Sequence, residues 1–250
     1  MIRIAAVGDV HVDKDVVGRY RPALEQLPDR ADALLIAGDL TRHGTVEEAR
    51  CFAEEFGGLG VPVVVVLGNH DHQSDQQDAV TKVITEAGIT VLEGTTTVLE
   101  LRGHRLGIAG VKGFGGGFAG ACASNFGERE MKDFVATTEI SSARLGEALR
   151  SVAAESDALV ALTHYAPVPE TLVGEPLEIY AFLGSYQIGQ AIDSAPTSLA
   201  LHGHAHHGSE RGRTAGGVPV RNVAHPVIKQ AYNVYQLLSG EVDAPLVGAA

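Results

Sequence analysis

Five short segments carry the residues best suited to chemistry: Gly8-Asp9-Val10-His11, Gly38-Asp39, Gly68-Asn69-His70-Asp71, Thr163-His164 and His202-Gly203-His204-Ala205-His206. Each sets a carboxylate, an amide or an imidazole directly behind an apolar run of strand length. Any one alone reads as a helix cap, a turn residue or a surface histidine. Five together do not, because charge-dense groups gathered over an apolar sheet need compensating charge. Imidazole and carboxylate donors without thiolate suit Mn, Fe, Zn or Co better than Mg or Ca, and better than a structural thiolate zinc site. Six or seven such donors are too many for one ion and fit two neighbouring ions that share a carboxylate. Two ions roughly 3.5–4 Å apart are the arrangement that clamps both oxygens of a phosphoryl displacement.

The elements that must position these groups alternate along the chain. Ile2 to Val7, Ala33 to Ala37, Pro62 to Leu67, Ala158 to Leu162 and Leu199 to Leu201 read as strands buried on both faces. Thr45 and Glu48 form a capping box for a helix whose apolar face is Val46, Ala49, Phe52 and Phe56, ended by Gly57. Ser74 and Gln77 open a second helix running to about Gly88, and a third carries Leu145, Ala148, Leu149 and Val152. Periodicity therefore predicts a largely parallel α/β sheet system, with Val218 to Val223 and Ala231 to Leu237 as an antiparallel finish. In open α/β sheets ligands bind beyond the carboxyl ends of the strands, where all five segments fall. Glycine before Asp9, Asp39, Asn69 and His204 lets the backbone turn sharply and approach a central object.

Composition narrows the function classes. The 250 residues are 45% hydrophobic and 20% charged, the balance of a globular chain, and one domain over 1–250 is expected. No apolar run approaches bilayer length, and Asp9, His11 and Asp13 interrupt the N-terminus too early for a signal peptide, so a cytoplasmic protein without a membrane is expected. A net charge of −12 argues against nonspecific nucleic-acid binding and for a small substrate. Cys51 and Cys122 are too few for a disulfide framework.

The series Asp9-x-His11, Gly38-Asp39, Gly68-Asn69-His70-Asp71, His164 and Gly203-His204-x-His206 resembles the calcineurin-like metallophosphoesterase superfamily, over residues 9 to 206. In size and in the His70-Asp71 form of its third motif the chain is similar to small single-domain bacterial members such as class III cyclic-nucleotide phosphodiesterases. The resemblance implies a metallo-dependent phosphatase-like four-layer fold, with two facing mixed β-sheets flanked by helices. It implies two divalent or trivalent transition-metal ions (Mn, Fe or Zn): Asp9, His11 and His206 on the first, Asn69, His164 and His204 on the second, Asp39 bridging both. His70 would lie outside the metal shell, near the phosphate or its leaving group, and Asp71 would orient His70 or a nearby backbone. The activity implied is hydrolysis of small phosphodiesters or phosphomonoesters by in-line attack of a hydroxide bridging the ions. The competing function is a metal-binding scaffold of the same fold acting in protein–protein interaction; retention of His11, His70, His164, His204 and His206 argues against it.

Other histidines have less claim. His43 and His72 follow the second and third motifs and could rim a pocket; His104, placed in a hairpin turn, and His202, His207 and His225 are not expected as ligands. Gly115-Gly116-Gly117-Phe118-Ala119-Gly120 matches a dinucleotide-binding pattern, but no helix opens after it, so a loop is expected, with Phe114 and Phe118 as candidate lid contacts. The segment 165–185, rich in proline and aromatics, should pass beside the metals and is the candidate for a subunit contact in a homo-oligomer.

Overall fold

The computed structural model describes residues 1–238; residues 239–250, the end of the span expected as one domain, lie outside the described residues. In chain order the strands are β1 (Ile2–Val7), β2 (Ala33–Ala37), β3 (Val63–Val66), β4 (Thr90–Val91), β5 (Thr95–Leu101), β6 (His104–Val111), β7 (Gly117–Phe118), β8 (Ala121–Cys122), β9 (Ala158–Thr163), β10 (Leu199–His202), β11 (Arg211–Arg213), β12 (Pro219–Asn222) and β13 (Asn233–Leu237). They form a five-stranded sheet in the order β13-β1-β2-β3-β4, a six-stranded sheet in the order β11-β12-β10-β9-β6-β5, and the small β7-β8 hairpin.

Side-chain alternation explains why the two large sheets face each other. In β1, Ile2, Ile4 and Ala6 point to one side, where they meet Leu106, Ile108, Val160, Leu162 and Leu201 of the second sheet. Ala5 and Val7 point to the other side and pack under Phe52, Phe56 and Ile84 of the flanking helices. The outer face of the second sheet is covered by Leu145, Leu149, Ile188 and Ile192. Four layers result, as the family resemblance implies, and strands buried on both faces must read as unbroken apolar runs.

The helix Val46–Phe56 has the predicted capping box, with the Glu48 N–H 3.3 Å from Thr45 Oγ1 and the Thr45 N–H 3.2 Å from Glu48 Oε2. Its buried Phe52 and Phe56 stack with centroids 4.8 Å apart, each ring contributing roughly 1.5–3 kcal/mol by burial. The helix Gln77–Glu86 does form, but Ser74 does not cap it: its hydroxyl donates instead to the His43 carbonyl at 2.7 Å.

Three features differ from the periodicity expectation. β13 pairs antiparallel with β1 as expected, but β12 is antiparallel only to the short β11 and runs parallel to β10, so the C-terminal strands do not form a simple antiparallel finish. Strands β5 and β6, whose apolar run is diluted by Gly107 and Gly110, add a long hairpin closed by Arg102 and Gly103, both at positive φ. Phe118 is buried against Ala166, Leu172 and Leu183, so it is a packing residue of the β7-β8 hairpin and not a lid. The helix that follows this glycine segment, Arg129–Ala153, begins nine residues beyond Gly120.

Candidate metal centre

Asp9 and His11 follow β1, Asp39 follows β2, Asn69 to Asp71 follow β3, His164 follows β9, and His204 and His206 follow β10. Residues far apart in the chain thus reach one place because parallel strands present their carboxyl ends together. Asp9, His11, Asp39 and His204 all take positive φ, a conformation that costs a residue with Cβ roughly 1–2 kcal/mol. Four site residues in that state mark a backbone bent to aim side chains, held in place by the strands behind it. Two glycines are required by contact: a Cβ on Gly68 would land on the Asp39 carboxylate, and one on Gly203 would land on that of Asp9.

Two donor groups result, each with ligand atoms within 4.8 Å of one another: Asp9, His11, Asp39 and His206 in one, Asp39, His164 and His204 in the other. Asp39 belongs to both. His206 Nε2 lies 2.9 Å from Asp9 Oδ1, His11 Nε2 3.7 Å from Asp39 Oδ2, and His164 Nε2 3.4 Å from Asp39 Oδ1. Asn69 joins the second group, its Oδ1 2.9 Å from His164 Nε2.

Hydrogen bonds to carbonyls fix which imidazole nitrogen faces inward. His164 Nδ1–H donates to the Ala37 carbonyl at 2.8 Å, leaving the Nε2 lone pair toward Asn69 and Asp39. His204 Nε2–H donates to the Phe182 carbonyl at 3.2 Å, leaving Nδ1. In this orientation of the Asn69 amide, its Oδ1 and the His164 lone pair face one another, an arrangement that calls for a cation beside both.

The electrostatics make the same demand. Burial holds the Asp39 carboxyl well above the usual carboxylate range, and the charges of Asp9 and Asp71 add to it. Burial also acts to raise Asp9, but the His206 hydrogen bond, the charges of His164 and His206 and the His204 N–H outweigh it and bring Asp9 to about 2. His11 is pushed down to about 4 and His204 to about 3, both chiefly by burial, so both are neutral donors at physiological pH. His206 is raised by its bond to Asp9. Among the described residues neither Asp9 nor Asp39 has a Lys or Arg partner. Two buried carboxylates with the neutral imidazoles of His11 and His204 beside them fit metal cations.

His70 stands apart from both donor groups. Its N–H donates to Asp39 Oδ1 at 2.9 Å, its Nδ1–H donates to the Arg42 carbonyl at 2.7 Å, and Nε2 is left 3.9 Å from Asp39 Oδ2 on the open side. Of the two roles expected for Asp71, the structure gives the backbone one. Its buried carboxylate accepts from Leu40 N (3.1 Å), Thr41 N (2.8 Å), Thr41 Oγ1 (2.6 Å) and Gly68 N (2.7 Å), tying the second motif to the third, and does not orient the His70 ring.

Asp13, His43 and Glu48 form another group of metal-compatible spacing, but its charges are met: Asp13 pairs with Arg42, and Glu48 serves the helix cap and the His43 N–H. His202 is buried with both nitrogens engaged, on the Gly203 carbonyl and Thr171 Oγ1. The segment 165–185 does pass beside the centre: the Tyr165 ring lies tilted against that of His204 with centroids 4.3 Å apart, and the Phe182 carbonyl accepts the His204 Nε2–H. Lys112 is a residue that sequence reasoning misses. It follows β6, a sixth strand end at the same site, and its only signal is Val111-Lys112-Gly113 behind a strand that its glycines obscure.

A family model described as calcineurin-like phosphoesterase matches residues 2–208. No curated protein matches the chain. Among solved structures, the fold is similar to phosphopantetheinyl hydrolase from Mycobacterium tuberculosis, with 17% identity, TM-score 0.60 and 88% of each chain covered. It is similar to the protein TT1561 of Thermus thermophilus, with 16% identity, TM-score 0.61 and 97% of each chain covered. A putative 5′-nucleotidase from Staphylococcus aureus shares 13% identity at TM-score 0.61, over 98% of this chain and 52% of that one.

Proposed function

Because the chain belongs to the calcineurin-like phosphoesterase family, we propose that it hydrolyses small phosphomonoesters or phosphodiesters with two transition-metal ions. The observation that carries this is Asp39, whose single carboxylate completes both donor groups. Asp9, His11 and His206 would hold one ion, Asn69, His164 and His204 the other, and Asp39 would be shared. Mixed nitrogen and oxygen donors of this kind favour Mn, Fe or Zn. When bound, the ions would supply an activated water and would stabilise charge spreading over the phosphoryl oxygens.

The remaining steps fall to side chains. The Asn69 amide nitrogen would orient a phosphoryl oxygen while its Oδ1, 2.9 Å from His164 Nε2, faces the second donor group. His70 donates Nδ1–H to the Arg42 carbonyl, so Nε2 is the atom that carries a proton to the leaving oxygen. Asp71 acts as a positioning residue: it pins Gly68, and with it the turn that carries Asn69 and His70, to Leu40 and Thr41. A net charge of −12 favours small esters over nucleic acid. The test is metal analysis together with hydrolysis of bis(p-nitrophenyl) phosphate and p-nitrophenyl phosphate. Two equivalents of metal and metal-dependent turnover are expected; a metal-replete protein inert toward both esters refutes the proposal.

A further inference from the structure

Lys112 presents a cation at the edge of the metal centre that the proposed chemistry does not use. It follows β6, and its carbonyl accepts the N–H groups of His164 (3.0 Å) and Tyr165 (3.1 Å), which fixes its backbone to the second donor group. The ammonium lies 5.0 Å from the centre of the Phe114 ring and 5.3 Å from that of Tyr165, and the Tyr165 ring in turn lies tilted against that of His204, centroids 4.3 Å apart. Among the described residues its one hydrogen bond is to the neighbouring Gly113 carbonyl at 3.3 Å. Among the described residues no carboxylate forms an ion pair with it; Glu93, the acid that acts on it most, spends its Oε2 on the Lys112 backbone N–H, and Asp39 of the centre acts on it more weakly. The side chain is only partly exposed, so its charge is partly stripped of water without a counter-ion in exchange. Aromatic faces stabilise such an ammonium more weakly than a carboxylate or phosphate partner does.

We infer that Lys112, walled by Phe114 and Tyr165, forms a subsite for a second anionic group of the substrate, a carboxylate or a further phosphate, on the His164–His204 side of the centre. This rests on the phosphoesterase reading and narrows its substrate class to esters with a second negative charge. The experiment keeps the two apart. Turnover of p-nitrophenyl phosphate tests the hydrolase reading alone. The subsite is tested by calorimetry on metal-loaded protein, comparing alkylphosphonates with ω-carboxyalkylphosphonates carrying two to five methylenes. The wild-type protein is expected to bind the carboxylated phosphonate at least tenfold more tightly at its best chain length. Lys112→Met should abolish that preference while leaving the simple alkylphosphonate's affinity within about twofold, and Lys112→Arg should retain it. No preference at any length in the wild type, or one that survives in Lys112→Met, overturns the inference.

Discussion

Replacing Asp39 with asparagine separates the demands of the empty centre from those of the loaded one. The amide would keep an oxygen to accept the His70 N–H and would keep the side-chain volume, but it removes a buried charge that faces Asp9 and Asp71. The sign follows from linkage. The folded Asp39 carboxyl titrates well above its unfolded value, so its contribution is intact below the unfolded pKa and is lost as pH rises through the folded one. Each pH unit across that window removes about 1.4 kcal/mol from the metal-free wild type and nothing from Asp39→Asn. Metal-free Asp39→Asn should therefore melt above the metal-free wild type at pH 8, and the gap should close toward pH 4. Metal reverses the order. Two ions, each at a hundred times its dissociation constant, add about 2.7 kcal/mol apiece, and at roughly 2–4 °C per kcal/mol the wild-type Tm should rise by about 10–20 °C. Asp39→Asn should lose most of that rise, since one carboxylate serves both donor groups. Differential scanning calorimetry with chelator, then with manganese or zinc, reads both arms. Equal metal-induced shifts in the two proteins would show that Asp39 is not a shared ligand, and a metal-free variant less stable than the wild type at pH 8 would refute the unfavourable burial of its charge.

Three further perturbations separate positioning from chemistry. His70→Ala should retain both metals by elemental analysis yet lose about 10²–10⁴-fold in kcat, because no donor group includes it. Asp71→Ala orphans three backbone N–H groups and the Thr41 hydroxyl, and at about 1–3 kcal/mol for each unmet group urea unfolding should show a loss of at least 3 kcal/mol, with metal content falling alongside. Gly68→Ala places a methyl on the Asp39 carboxylate, so metal affinity should fall at least tenfold while the far-UV circular dichroism spectrum of the folded protein is unchanged; unaltered affinity would contradict the close approach.

What is legible in the sequence follows from how each element is built. Strands β1, β2, β3, β9 and β10 are buried on both faces and so read as plain apolar runs, and the polar groups behind them stand out by contrast. The turn of the β5–β6 hairpin at His104 is legible, but strand β6 is hidden for a physical reason: Gly110 lies where a Cβ would press on Val66 and Leu92 of the facing layer, so close packing of the sheets removes the apolar signal there. The direction of β12 is equally hidden, because pairing partners leave no trace in a four-residue strand. Asp71 reads as catalytic because it adjoins His70. Its work on Gly68, Leu40 and Thr41 becomes visible only once two loops meet. The backbone carbonyls of Ala37, Arg42 and Phe182, which set the tautomers of three site histidines, have no residue-type signature at all.

The centre concentrates unfavourable terms that a single sheet end would not readily sustain. Four residues sit at positive φ, two carboxylates are buried without a Lys or Arg partner among the described residues, and the imidazoles of His11 and His204 are held neutral by burial. What holds them is that the strand ends belong to two sheets sharing one apolar interior: Ala37 and Val66 on one side, Leu162 and Leu201 on the other, all pack in the same buried layer directly behind the site. A shift of any one loop would have to move its strand against that layer, so the bent geometry persists without being locally stable. The same argument explains why the site crosses between the sheets. Asp9 and Asp39 come from one and His164, His204 and His206 from the other, so each metal would bridge the two halves of the molecule. Metal binding should then resist separation of the sheets as well as neutralise charge, and hydrogen exchange in β9 and β10 should slow on metal addition as much as in β1 and β2. Protection confined to the β1 and β2 loops would mean that the ions engage one sheet only.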